Sequence, residues 1–407
     1  MTRVSTAPTL STAQRALLVT LALALFALDT WVMYTMLTSR AQIVVWDFHP
    51  PWLGLRAMFF NGADPYSDEV TLAIQRQMLG RPARPDEDQF AFVYPLYVIA
   101  LIGPLALLPL PVAQALWFSL LEASLVTFII VAPRAVGWRP PIWLLALTAL
   151  FTLGLYPNMW AMFLGQNSIV VAALIAVVWW GLRTRRWELA GACLALATIK
   201  PQMIFLLVPG LLAWAIYQRH WRLVIAFGVT LGGLILLPLP WLPTWPLAWL
   251  AAVGRYADYT VFDPPLVMLA GSTWLAGIVA VLLLLWTVGC WWHAPEHQGM
   301  AFDWALSMVA VTSALVAPRT THVYQLMLLL PLFFVFTRMP KNGVITVVEI
   351  GLLVGLWLID IMFFPPTSNP QHVVWQHWFI SPILPVGLTF ALLRFSPPLA
   401  RKGANPV

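Results

Sequence analysis

The chain has 407 residues, of which 61% are hydrophobic and 9% charged, and its mean hydropathy is +0.82. That leaves too little polar surface to clothe a water-soluble fold, and no strand-like alternation supports a β-barrel. The net charge of +6 comes without a basic tract interleaved with aromatics, which argues against nucleic acid as a partner and for arginine-rich cytoplasmic loops.

Apolar runs of spanning character follow one another almost end to end. They are drawn at 16–38, 93–110, 112–132, 141–157, 168–182, 187–199, 201–217, 221–238, 267–291, 301–317, 324–337, 343–363 and 379–394. An all-α polytopic membrane protein is expected, one integral-membrane domain over residues 1–407 with roughly 11–13 transmembrane helices. The first run passes into Trp31, Met33 and Tyr34, which suit the interface, so it reads as a retained helix and not a cleaved signal. Cys193 and Cys290 lie inside apolar runs and imply neither a disulfide framework nor a metal site.

Basic clusters at 183–188, 218–222, 338–343 and 394–403 belong on the cytoplasmic side. Counting back from them puts 134–141 inside, whereas counting forward from the first helix puts it outside. Either one segment turns back within the membrane or the loop at 134–141 breaks the charge rule. The candidates are 93–110, interrupted at Gly103-Pro104, and 187–199, which is short for a span. Stretches 39–92, 238–266 and 363–379 are too polar or proline-rich to cross and fall on the outer side, with tryptophans suited to interfacial helices.

The polar chemistry gathers on that outer side. In "VWDFHPPWLGLRAMFFNGADPYSDE" (45–69), Asp47 precedes Pro50-Pro51, a usual helix start. Trp52, Leu55, Met58 and Phe59 then share one face, Asn61-Gly62 stops the helix, and Asp64-Pro65-Tyr66 forms a turn. Asp47 is either a cap or a functional carboxylate, and Arg56 is placed to pair with it or with a phosphate. Lys200, one of three lysines, lies in "ATIKPQM" between two short apolar segments. A charge at membrane depth is a functional candidate, the alternative being a lysine snorkelling from a helix end. Gln166 and Asn167 open the run at 168–182 as amides that suit sugar hydroxyls or a helix cap. Arg319 stands in an outer turn with His322 and Tyr324, either solvated or ready for a phosphate or sugar. Asp29 and Glu122 lie within apolar runs, either paired or on a proton path. Asp47 and His49 form Asp-x-His without further ligands; no cofactor is implied and a divalent metal stays open.

Four elements together resemble glycosyltransferase family 87. They are "DFHPPWLGLRAMFFNGADPY" (47–66), "VYPLYVIALIGPLALLPLPVAQALW" (93–117), "LGQNSIVVAALIAVVWWGLRTRRWELAGACLALATIKPQ" (164–202) and "ALVAPRTTHVYQLMLLLP" (314–331). Three positions depart from the family pattern: Leu96 stands for a second proline, Gln166 and Asn167 are adjacent, and Ala317 stands for a serine. The resemblance implies a GT-C fold in the cell membrane with an active site open to the extracytoplasmic side. It implies a polyprenyl-phosphate-sugar donor, most readily mannose, an acceptor hydroxyl on a glycolipid or glycan, and membrane lipid around both. Asp47 would be the base of an inverting displacement. Lys200 and Arg319 would hold the donor phosphate, and Arg56, Asp64, Tyr66, Gln166, Asn167, His322 and Tyr324 would line the substrate site. A transporter or flippase using Asp29, Glu122 and Lys200, or a non-catalytic envelope-assembly subunit, is the alternative.

Overall fold

The computed structural model describes residues 11–38, 46–85, 87–259, 264–292, 299–317, 320–339, 341–363 and 380–396, and among them the chain forms helices and no strand. Among the described residues three helices are long and apolar enough to cross a membrane alone: α1 (Thr12–Thr38), α5 (Leu110–Ala135) and α18 (Asn342–Phe363). A fourth crossing is broken, with α6 (Ile142–Gly154) and α7 (Tyr156–Leu164) bent by 52°. Leu155 takes an extended conformation (ψ 128°), and Pro157 in the first turn of α7 has no N–H to continue the α6 ladder, so a new helix starts in another direction. The sequence draws 141–157 as one span, and the break falls inside it.

The other apolar helices are shorter. They include α8 (Ser168–Arg183), α9 (Trp187–Ala197), α10 (Pro201–Ile204), α11 (Leu207–Tyr217) and α12 (Trp221–Leu236). They continue with α14 (Pro265–Ala270), α15 (Thr273–Trp292), α16 (Met300–Val316), a 3-10 turn at His322–Leu328, α17 (Leu329–Phe336) and α19 (Ile383–Arg394). Large apolar side chains such as Val229 and Trp274 lie exposed on α12 and α15, 71% and 83% accessible, which a lipid environment covers.

Two ends of the bundle can be told apart by their contacts. At one end the basic loops meet: Arg183 Nε donates to Ala135 O (2.8 Å), the ring of Trp138 packs on Phe336, and Trp187 stacks on His220 at 4.0 Å. Trp304, beside Asp303, donates to Leu392 O (2.8 Å), which brings the end of α19 there too. Residues 134–141 therefore sit with the other basic loops.

At the opposite end lies the first polar loop. Pro50 and Pro51 open α2 (His49–Asn61), Gly62 in the left-handed region (φ 64°) closes it, and Trp52, Leu55 and Met58 form its buried face. A second helix, α3 (Asp68–Leu79), is capped by Ser67 Oγ, which accepts from Val70 N (3.3 Å). From the later polar stretch comes α13 (Trp245–Tyr259), while 364–379 lie outside the described residues.

Segment 93–110 begins and ends among elements of the polar end. It makes a 3-10 turn (Leu96–Val98) and α4 (Ile99–Ala106), whose eight residues reach about 12 Å at ~1.5 Å each. At its start Tyr97 Oη donates to Thr198 O (3.0 Å), next to Lys200. At its finish Trp52 Nε1 donates to Leu105 O (3.1 Å) and Arg56 Nη1 to Ala106 O (3.0 Å). Both ends thus touch elements of the polar end, while α9 runs from Arg186 to the Lys200 turn.

Candidate functional site

Asp47 is not the cap of α2. Phe48 takes the N-cap position and no side chain bonds there, so the Asp47 carboxylate is released for other work. Its backbone is fixed to the end of α7, Asp47 N donating to Leu164 O at 2.9 Å. The chain then turns at Gly165 (φ 70°), a left-handed position that favours glycine, and Trp117 Nε1 donates to Gly165 O (2.8 Å). This turn delivers Gln166 to the carboxylate: Gln166 Nε2 donates to Asp47 Oδ2.

The other half of the same amide faces a lysine. Lys200 Nζ donates to Gln166 Oε1, completing a line from carboxylate through amide to ammonium. Lys200 sits in the turn between α9 and α10, where Pro201 forces its extended backbone (φ −125°, ψ 78°). Its Nζ lies 4.1 Å from the ring centroid of Tyr324, a cation–π contact. Lys200 is buried to 2% accessibility and Gln166 to 7%, while Asp47 is half-buried. Three residues separated by 119 and 34 positions are thereby joined, each buried charge receiving a hydrogen bond.

Burial dominates the electrostatics. It raises the Asp47 carboxyl to about 6, with the Asp88 charge adding to the rise, and with the Lys200 charge and the Gln166 hydrogen bond opposing it. Burial likewise lowers Lys200 to about 7 against the pull of Asp47. His49 is lowered to about 4, burial outweighing its contact with Gln77 (Nε2 to Oε1, 3.2 Å), so its ring is neutral at pH 7. Among the described residues no three His, Cys, Asp or Glu side chains come together as a metal site.

Asp88 and Tyr94 also stand within electrostatic reach of Asp47. The Tyr94 hydroxyl is held far above its ordinary range by burial and by the charge of Asp47, with Tyr324, Tyr256 and Asp88 contributing. Asp88 keeps an accessible carboxylate although the surrounding protein raises its pKa. A built loop presents it: Arg81 pairs with Glu87 through two 2.7 Å bonds, and Gln75 Nε2 donates to Gln89 O (3.0 Å). Phe90 N donates to Asp88 Oδ1 (2.9 Å), with Phe90 in the left-handed region (φ 49°) and its ring 5.8 Å from Trp46. No spacing in the sequence separates Asp88 from its neighbour Glu87; the loop's fold does.

The remaining candidates divide. Asn167 is buried beside Gln166 with both amide atoms unpartnered among the described residues, and it makes no cap bond on α8. His322 lies with its ring 5.5 Å from that of Tyr156. Arg56 does not pair with Asp47: its guanidinium donates to Ala106 O at the end of α4 and to Leu108 O just past it, and lies over Trp52 and Phe60. Asp64 closes its turn, accepting from Tyr66 N at 2.8 Å, and Tyr66 Oη donates to Tyr94 O at 2.7 Å, a wall contact. Asp29 and Glu122 lie within electrostatic reach of each other between α1 and α5. Arg319 lies outside the described residues.

The site and the basic loops occupy opposite ends of α8, whose 16 residues extend about 24 Å at ~1.5 Å each. The family model for Glycosyltransferase family 87 matches residues 92–318, more than half of the chain. No curated protein and no solved structure matches it.

Proposed function

The chain belongs to glycosyltransferase family 87 and is a membrane glycosyltransferase, and from that premise we propose that it moves a sugar, mannose in the first instance, from a polyprenyl-phosphate carrier to an acceptor hydroxyl. The observation that carries this reading is the line Asp47–Gln166–Lys200, a base and a cation joined by one amide at the end of the bundle away from the basic loops. Basic loops face the cytoplasm, so the site faces the extracytoplasmic side.

The displacement is inverting and single. The acceptor oxygen bonds to the anomeric carbon as the carbon–oxygen bond to phosphate breaks, and the electron pair leaves with the polyprenyl phosphate. The acceptor proton goes to Asp47. A carboxylate raised to about 6 is ionised at pH 7 and is a stronger base than an exposed aspartate. Oδ2 is occupied by Gln166, which leaves Oδ1 for the acceptor. Lys200 has further N–H donors beyond the one given to Gln166 and supplies positive charge to the departing phosphate. The Asn167 amide, unpartnered among the described residues, suits a sugar hydroxyl, and His322 and Tyr324 complete the donor side.

The test uses full-length protein in lipid with radiolabelled polyprenyl-phosphate-mannose and a lipid-acceptor extract. Asp47→Asn should lose about 10²-fold or more of the transfer rate, the usual range for a general base, while folding and donor binding persist. Wild-type protein that transfers no label from several polyprenyl-phosphate sugars would overturn the reading.

A further inference from the structure

Helix α18 carries two carboxylates, Glu349 and Asp360, eleven positions apart and hence three helical turns along one face. That face lies along the broken crossing α6–α7. Thr148 Oγ1 donates to Glu349 Oε1 (2.6 Å), Trp357 Nε1 donates to Gly154 O (2.8 Å), and Tyr156 Oη donates to Asp360 Oδ1 (2.8 Å). The three contacts run down to the 52° corner at Leu155 and end on the first residue past it.

Tyr156 has no freedom to turn. Its ring is fully buried, meets Trp357 edge-on (5.1 Å, 86°) and packs near Trp160 (6.1 Å), while its hydroxyl is tied to Asp360. Against that ring lies the imidazole of His322, 5.5 Å away and tilted by 34°. Two residues further on, Tyr324 underlies the Lys200 ammonium. A carboxylate in a membrane helix is costly, and mere packing against a bent helix pair is served by apolar residues at less cost.

We propose that Asp360, acting through Tyr156, is a positioning residue for His322, so that α18 sets the plane of an imidazole on the donor side of the site. The consequence for transfer rests on the function proposed above; the geometric claim does not. Glycosyl transfer needs its contacts held to within a fraction of an ångström, and His322 opens the 3-10 turn His322–Leu328 with its ring against that of Tyr156.

The test labels the histidines of the full-length protein with ¹⁵N in lipid nanodiscs and assigns His322 by the signal lost in His322→Gln. Tyr156→Phe keeps the ring and removes the hydroxyl, and Asp360→Asn weakens the acceptor. Both should move the His322 imidazole resonances and leave those of His49 and His220 in place, and Asp360→Glu should restore them. In the transfer assay both should raise the donor KM by about fivefold with a smaller change in kcat, and neither should add to the effect of His322→Gln. Unmoved His322 resonances in both variants overturn the proposal, as does full additivity with His322→Gln. If wild-type protein transfers nothing, or His322→Gln keeps wild-type KM and kcat, the functional reading of His322 falls while the resonances still decide the positioning claim. Melting temperatures check that each variant is folded, and if Tyr156→Phe is not, Asp360→Asn carries the test.

Discussion

Asp47 is held by opposing influences, and its neighbour Asp88 is the one that a substitution can remove without breaking a hydrogen bond to the base. Burial and the Asp88 charge raise the Asp47 carboxyl to about 6, while Lys200 and Gln166 favour its ionised form. If Asp47 is the base, kcat/KM falls as pH drops through about 6, because the protonated carboxyl accepts nothing. It falls again on the alkaline side as Lys200 loses its charge, and the two limbs belong to the pair jointly. Asp88→Asn takes away a negative charge, which makes ionised Asp47 cheaper and lowers its pKa. The acid limb should therefore move to lower pH, with the alkaline limb nearly unchanged; a profile identical to wild type would remove Asp88 from the site. Sequence made Asp47 and Lys200 legible because a charge among apolar residues demands a reason. It made Arg56 misleading, since a guanidinium near a carboxylate suggests a pair, whereas the free carbonyls at the end of α4 took it instead. Asp88 was illegible because it stands in an acidic, loop-like run where any carboxylate looks solvated.

At the scale of elements, the short helices work because small residues let them approach. Gly191 on α9 faces the backbone of α12: a Cβ there would stand 2.3 Å from Leu223 O and 2.9 Å from Phe227 N. Neither is a side chain that can swing away, so the helices themselves would have to separate. Gly191→Ala should cost about 1–3 kcal/mol by overpacking, read as a lower melting temperature in detergent. Because α9 leads into the Lys200 turn, donor affinity should weaken as well. Unchanged stability would mean that the crossing is looser than its geometry implies. The same elements show what periodicity and punctuation reveal. The run at 168–182 is a helix over Ser168–Arg183, its start marked by the Gly165 turn and its end by the arginines. By contrast, the apolar run at 141–157 hid a break, because hydropathy averages over the extended Leu155 and over Pro157, which has no N–H to carry the α6 ladder onward.

Across the whole molecule, the chemistry at one end depends on a lock at the other. Arg183 Nη2 donates to Asp303 Oδ2 (2.7 Å) and Arg183 Nε to Ala135 O (2.8 Å), while Trp179 Nε1 donates to Asp303 Oδ1 (2.9 Å). The network joins α8, α16 and the end of α5, and Asp303 is buried within it at 4% accessibility. A buried ion pair of this kind specifies an arrangement more than it adds stability, since the desolvation of both charges offsets much of their attraction. Removing one partner differs, because it leaves a buried charge uncompensated. Arg183→Met should therefore lower stability by about 3–5 kcal/mol, whereas the double variant Arg183→Met with Asp303→Leu should recover part of that loss. The recovery stays incomplete because Trp179 loses its acceptor. Melting curves of the two variants in lipid provide the check, and a double variant less stable than Arg183→Met would show that Asp303 contributes more through Trp179 than through the arginine. Since α8 begins beside Gln166 and ends at this lock, Arg183→Met should also disturb the line from Asp47 to Lys200 about 24 Å away at ~1.5 Å per residue, lowering transfer in molecules that remain folded.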